Sequence, residues 1–279
     1  MKTDRAFTRA IPAALVLTGM VLTLLFIVAP LIVIFHSAFS KGLSFYVDSI
    51  GDPDTLHAIE LTLLTALIAV PVNIAFGIAA AWAITKFSFR GKKLLTSLIE
   101  LPLSMSPIVA GVSYLFLYGM QGWLGPWLQE RDLQVMFALP GIILVTMFVT
   151  SPFVARELIP LMQAQGNDQE EAATTLGASG WQMFRRVTLP NIRWALLYGA
   201  VLCTARAVGE FGAVSVVSGN VRGETNTLPL HIELVYHDYN VVGAFAAATT
   251  LTVIAMLTLV IKTFIELRIR KAGQSTTSL

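Results

Sequence analysis

Charge is scarce in this chain. Asp, Glu, Lys and Arg make up 13% of its 279 residues, against about a quarter in soluble domains. The single cysteine, Cys203, excludes an intramolecular disulfide and any cysteine-rich metal site. His36, His57, His231 and His237 have neither metal-ligand spacing nor company, and His231 and His237 read as outer-loop residues. No G-x-x-x-x-G-K-[ST] segment occurs, so the chain cannot cradle ATP phosphates by itself. The serines lack a paired base and no nucleophile elbow is present. A non-catalytic chain with no cofactor and no metal is the expectation. A net charge of +2 gives no footprint for nucleic acid.

What the chain has instead is apolar length. Hydrophobic residues reach 55% and mean hydropathy is +0.71. Uncharged intervals run from Ala10 to Ser40, Leu61 to Thr85, Leu101 to Gln129, Leu133 to Ala155 and Tyr239 to Ile261. Each exceeds the roughly 20 residues a helix needs to cross hydrocarbon. A further apolar block, Trp194 to Val221, carries Arg206 and Glu210 in its middle. The apolar run that follows Lys2, Arg5 and Arg9 is too long for a signal peptide, whose core is about 7–15 residues, and reads as an uncleaved first span. The chain therefore reads as one all-α integral membrane domain over residues 1–279. Six transmembrane helices are expected near 11–36, 61–85, 95–120, 134–156, 191–218 and 241–265.

Basic residues set the orientation. Lys2, Arg5 and Arg9, Lys86 to Lys93, Arg156, Arg185, Arg186 and Arg193, and Lys262 to Lys271 fall at one set of ends. Lys41, Arg131 and Arg222 fall at the other. By the positive-inside rule both termini are cytoplasmic. Trp123, Trp127 and Tyr236 read as interfacial anchors on the outer side, and Glu100 as an ordinary interfacial carboxylate. Prolines punctuate the spans, and Pro102 and Pro107 flank Ser104 and Ser106 in a polar turn that can line a path.

The polar loop 167–190 has strong local signals. Asp168 with Glu171 is expected to form a capping box, and Ala172 and Ala173 favour helix. Gly177 supplies a left-handed helix end. Ser179 with Gln182 starts a second helix that places Trp181, Phe184 and Val187 on one face, and Pro190 opens the next span. Chemistry alone leaves two readings open, a partner-docking surface and a capped interfacial hairpin. The pattern Glu171-Ala172-Ala173, then Gly177, then Leu189-Pro190 resembles the EAA loop of ABC-importer permeases, with Val187 where that family often has isoleucine. The resemblance implies a MetI-like ABC permease fold in a bacterial inner membrane. It also implies that Glu171, Ala172, Ala173 and Gly177 belong to a cytoplasmic coupling helix seated in a cleft of an ATP-binding subunit, which works as a dimer.

Arg206 and Glu210 are four residues apart, so a single helix would place them on one face within salt-bridge reach. Such a pair either fixes helix packing or meets the transported ion. The segment Ala205 to Ala213 and the outer stretch Ser218 to Thr225 resemble the fifth helix of oxyanion importers. Leu228-Pro229-Leu230 and Tyr236 to Asn240 are similar to the W-type sulfate/thiosulfate permease family. That resemblance implies a permease subunit of an ATP-driven importer, supplied by a periplasmic sulfate/thiosulfate-binding protein and paired with a related T-type permease chain. Arg206, Glu210, Ser104 and Ser106 are the candidates for the path. Two alternatives stand beside it, a molybdate or tungstate permease and, from another class, an autonomous channel or secondary transporter.

Overall fold

The structure, a computed structural model, describes residues 14–276, with side chains to residue 267. Lys2, Arg5 and Arg9, residues 11–13 of the first expected span, and the side chains of Arg268, Arg270 and Lys271 lie outside the described residues. Every described element is helical. In chain order they are α1 (Ala14–Ala38), α2 (Leu43–Ile50), α3 (Pro53–Lys86), α4 (Lys92–Ser104), α5 (Pro107–Tyr118), α6 (Gly125–Gln129) and α7 (Leu139–Gln165). There follow α8 (Asp168–Thr175), α9 (Gly180–Met183), a π-helical turn (Phe184–Thr188), α10 (Leu189–Val208), α11 (Gly212–Val217), α12 (Leu228–His237) and α13 (Val241–Thr276).

Four helices, α1, α3, α7 and α13, are long and apolar enough to cross a membrane, and a fifth crossing results if α4 and α5 count as one. The third expected span is not straight, because α4 and α5 meet at 110°. The cause is local. Pro107 excludes Ser106 from the helical region, and Met105 and Ser106 are both extended (ψ 152° and 134°). The fifth expected span is also interrupted. Gly209 ends α10, and α11 begins only at Gly212. Asn191, Arg193 and Arg206 keep α10 below the apolarity of the other spans. Elsewhere proline is harmless. Pro140 sits in a first turn, where no N–H is needed, Pro30 and Pro190 each follow a π-helical turn (Leu24–Val28 and Phe184–Thr188), and Pro152 lies within α7 just past Ser151.

The described chain divides into two compact units. The first holds α1, α2 and Ile232–Thr250. In it Phe39 stacks on Tyr46 at 4.4 Å, and the Tyr46 hydroxyl hydrogen-bonds Thr249 Oγ1 at 2.9 Å. The most apolar stretch of α1 buries no residue.

The second unit, from Pro53 to His231 with the chain beyond Leu251, is built on the packing of α3, α7 and α10. Within a bilayer, apolar burial gives little drive for helix association, so close van der Waals fit and small residues do most of the holding. Gly77 and Gly199 supply that fit on either side of Val154. A Cβ at Gly77 would stand 2.6 Å from Val154 Cβ, and one at Gly199 would stand 3.1 Å from Val154 Cα. Asn73, buried in α3, donates to Met147 O (3.1 Å) and Thr150 Oγ1 (2.7 Å) of α7, ties worth about 0.6–2 kcal/mol each in a membrane. At the other end of α3, Thr62 Oγ1 accepts the Leu228 N–H at 2.8 Å and Thr55 Oγ1 pairs with His231 Nε2 at 2.9 Å. His231 is therefore a buried residue of α12, not the outer-loop residue expected. Leu228 and Leu230, also buried, carry it inward.

Candidate functional site

The loop between α7 and α10 folds as a helical hairpin whose ends follow from local chemistry. Gly177 (φ 85°) is left-handed, its N–H donates to Thr174 O (2.9 Å), and the Ala178 N–H donates to Ala173 O (3.0 Å). This reciprocal pair satisfies carbonyls that the end of α8 would otherwise leave orphaned. Ser179 Oγ accepts the Gln182 N–H (3.3 Å) while Gln182 Oε1 accepts the Ser179 N–H (3.0 Å), the capping box expected from the sequence. The start of α8 differs from expectation. Asn167 occupies the N-cap and Asp168 the first helical position, so the Asp168–Glu171 box does not form. Gly166 (φ 66°, ψ −158°) makes the sharp exit from α7 and sets that register. The acids Asp168, Glu170 and Glu171 still lie in the first turn, where the helix dipole favours them. No break separates α9 from α10. The π-helical turn Phe184–Thr188 carries one into the other and absorbs Pro190, whose ring a regular turn would crowd.

Glu171, Ala172 and Gly177 are exposed, and Ala173 is half-buried. A Cβ at Gly177 would meet nothing within 4 Å. Beside these small residues two large apolar side chains are left uncovered by the chain, Leu176 at 88% and Trp181 at 69% exposure. Trp181 stacks on Phe184 (5.7 Å), and Phe184 on Trp82 near the end of α3 (5.1 Å). Between α3 and α8 runs a groove of about 600 Å³ lined by Trp82, Lys86, Phe87, Glu171, Thr175 and Met183.

Sequence reasoning missed the residues that hold this hairpin down. Lys86 Nζ lies 2.6 Å from Glu170 Oε2 and donates to Gly166 O at 2.5 Å. Glu170 Oε1 accepts from Thr188 Oγ1 at 3.0 Å. The two charged side chains are only 10% and 12% exposed. A second tie runs from Asn191 Nδ2 to Gln169 Oε1 at 2.6 Å. The one available signal was a second acid beside Glu171 at the start of a small-residue helix. Nothing local points to Lys86, which is 84 residues away.

The charged pair forms, with a geometry other than one helix face. Arg206 is in the last turn of α10, whereas Glu210 lies past its end, in the break before α11. Arg206 Nη1 and Glu210 Oε2 are 2.5 Å apart. Glu210 Oε1 accepts the Ala213 N–H at 2.8 Å and so caps α11. The Glu210 side chain is 1% exposed and that of Arg206 31%. The carboxylate is consumed by structure, while the guanidinium keeps donors free to face outward.

The break at Glu210 sits against the break at Ser106. A Cβ at Gly212 would lie 3.3 Å from Pro107 Cβ, and one at Gly111 would lie 2.7 Å from Ala213 O, so α5 and α11 touch through backbone. Ser104 and Ser106 are both exposed at the bend. Packing thus brings Pro107, one residue past Ser106, onto Gly212, two residues past Glu210. Among the described residues no group of histidine, cysteine and acidic side chains could hold a metal ion.

Two interrupted helices in contact and an anchored small-residue hairpin lie on one unit of an all-helical chain whose long helices are apolar enough to cross a membrane. A chain of a bacterial ABC transporter involved in the import of the acidic polysaccharide alginate shares the fold. Its TM-score is 0.77 at 20% identity, covering 97% of this chain and 99% of that one. Residues 73–271 match the family model of the binding-protein-dependent transport system inner membrane component, and the chain belongs to that family. The sulfate transport system permease protein CysW of Escherichia coli K12 is 59% identical over 251 residues, 90% of this chain and 86% of that protein. CysT, a sulfate transport system permease protein of the same organism, is 33% identical over 242 residues, 87% of each.

Proposed function

We propose that this chain is the permease subunit of an ATP-driven importer that moves sulfate or thiosulfate inward. The observation that carries the reading is extended likeness to a sulfate permease joined to the α8–α9 hairpin, whose exposed small residues sit on an anchored base. ATP is hydrolysed by a pair of separate ATP-binding subunits that receive α8, with Glu171, Ala172, Ala173 and Gly177 at the contact. A periplasmic binding protein delivers the anion, and a T-type chain related to CysT completes the core.

Six crossings follow if α4 with α5 forms one broken span and α10 is counted. At 20 residues α10 is about 30 Å long, enough to cross. Arg206, in the last turn of that helix, is acceptable in the bilayer because Glu210 neutralises it. The basic ends then place both termini in the cytoplasm. Closing ATPases pull α8, and the α3–α7–α10 body turns with it as a rigid piece. That turn re-orients the two facing breaks, where Arg206, Ser104 and Ser106 meet the passing dianion. Glu210 opposes tight binding there, as suits a chain that need only let the anion through. Uptake of labelled sulfate, thiosulfate and molybdate in a strain lacking this chain, with and without the gene restored, tests the reading. Restored sulfate or thiosulfate uptake is expected. Restored molybdate uptake alone overturns the anion assignment.

A further inference from the structure

The geometry points to Lys86 and Glu170 as the positioning residues through which movement of α8 reaches the transmembrane helices, a role that rests on α8 being the ATPase-docking element. The helix α8 buries no residue, so no apolar core drags the rest of the chain along when it is pulled. Beside the neutral Asn191–Gln169 tie, its one charged attachment is a single carboxylate. Glu170 holds Lys86 at the end of α3 through Oε2 (2.6 Å) and Thr188, at the last position before α10, through Oε1 (3.0 Å). The same ammonium grips Gly166 O at 2.5 Å, the carbonyl that follows α7. Four elements therefore converge on two side chains, and three of them are the helices that pack as the body of this unit.

The chemistry suits a joint. Lys86 at the C-terminal end of α3 and Glu170 in the first turn of α8 each stand where the helix dipole favours their charge. About nine-tenths of each side chain is withdrawn from solvent, so salt screens the pair far less than a surface pair. The Trp82–Phe184 stack lies alongside and limits rotation about the contact. Lys86 and Glu170 line the groove beside Glu171 but are mostly withdrawn from the exposed surface of Glu171, Ala172 and Gly177, so docking and transmission can be read separately.

The test uses the whole importer in proteoliposomes: cross-linking is read with exposed Thr175→Cys carrying a photoactivatable thiol reagent, and transport per ATP is read in separate, unlabelled importer without that cysteine. Cys203 is buried and stays in place. Cross-linking of that position to the ATP-binding subunit is expected in the parent, and equally in Lys86→Met. Sulfate imported per ATP hydrolysed should fall about tenfold in Lys86→Met, within the usual range of coupling between sites. Lys86→Arg, which keeps the charge and its donors, should stay near the parent value. A Lys86→Met complex that cross-links and transports as many anions per ATP as the parent overturns the joint alone. Failure of the parent itself to cross-link overturns the docking role of α8 and the joint with it. Should Lys86→Met not accumulate, Glu170→Gln keeps size and an acceptor oxygen and carries the same measurement. Loss of the cross-link in both variants also overturns the proposal, because the pair then shapes the docking surface instead of transmitting its motion.

Discussion

Removing either member of the Arg206–Glu210 pair should damage the protein, and the structure says which removal is worse. Arg206→Gln leaves a carboxylate only 1% exposed with its counter-charge gone. Breaking a buried pair in this way costs about 3–5 kcal/mol. Glu210→Gln is milder for two reasons. The amide oxygen still accepts the Ala213 N–H, so the cap on α11 survives. The stranded guanidinium is 31% exposed and remains partly hydrated. A loss of about 1–3 kcal/mol is the matching figure for one polar group left poorly paired. At roughly 1.4 kcal/mol per factor of ten, the two variants should differ about tenfold or more in the fraction correctly assembled. The assay is the yield of the chain in complex with its partner subunits after gentle extraction, followed by sulfate uptake in vesicles. The double variant Arg206→Gln/Glu210→Gln should recover assembly, since two amides can bond across the same gap. Recovered uptake then means the pair is structural, and recovered assembly without uptake means that Arg206 meets the anion. If both single variants assemble and transport normally, or if Glu210→Gln is the more damaging, the burial argument is wrong.

Gly177→Asp should leave the chain in the membrane and abolish substrate-stimulated ATP hydrolysis. The left-handed φ strains any side chain there, and the added carboxylate would project into the open space beside α8. Normal stimulation in the reconstituted complex would remove this loop from the coupling role. Tagged and untagged copies of this chain, co-expressed with a T-type chain and the ATP-binding subunits, should not co-purify in one complex. A fully active core containing two copies would favour the molybdate-type arrangement instead. Gly77→Ala should destabilise the extracted protein by about 1–3 kcal/mol, because its Cβ must displace Val154 and with it the α3–α7 contact. An unchanged thermal unfolding midpoint would show that this contact yields easily.

The parts of the molecule legible in the sequence are those governed by neighbours a few residues apart. Gly177, and Ser179 with Gln182, act on backbone within one turn, so their caps form as their residue types dictate. Apolar length likewise fixes α1, α3, α7 and α13 without reference to anything else, since a bilayer demands only that a helix be long and uncharged. Spacing brought Arg206 to Glu210 but mis-stated how, because Gly209 ends the helix and lets the glutamate turn back onto α11. The same limit applies to the third span, where Pro102 and Pro107 are plain in the sequence but the 110° turn between α4 and α5 is not. Proline forbids a conformation without specifying its replacement, and packing of α5 on Gly212 and Ala213 supplies the rest. Tertiary structure alone decided that His231 is buried against Thr55, that Val154 sits between two glycines, and that Lys86 closes on Glu170. Each joins residues separated by dozens of positions, and no local pattern records such a meeting. It exists only once three helices have packed closely enough for their small residues to admit it.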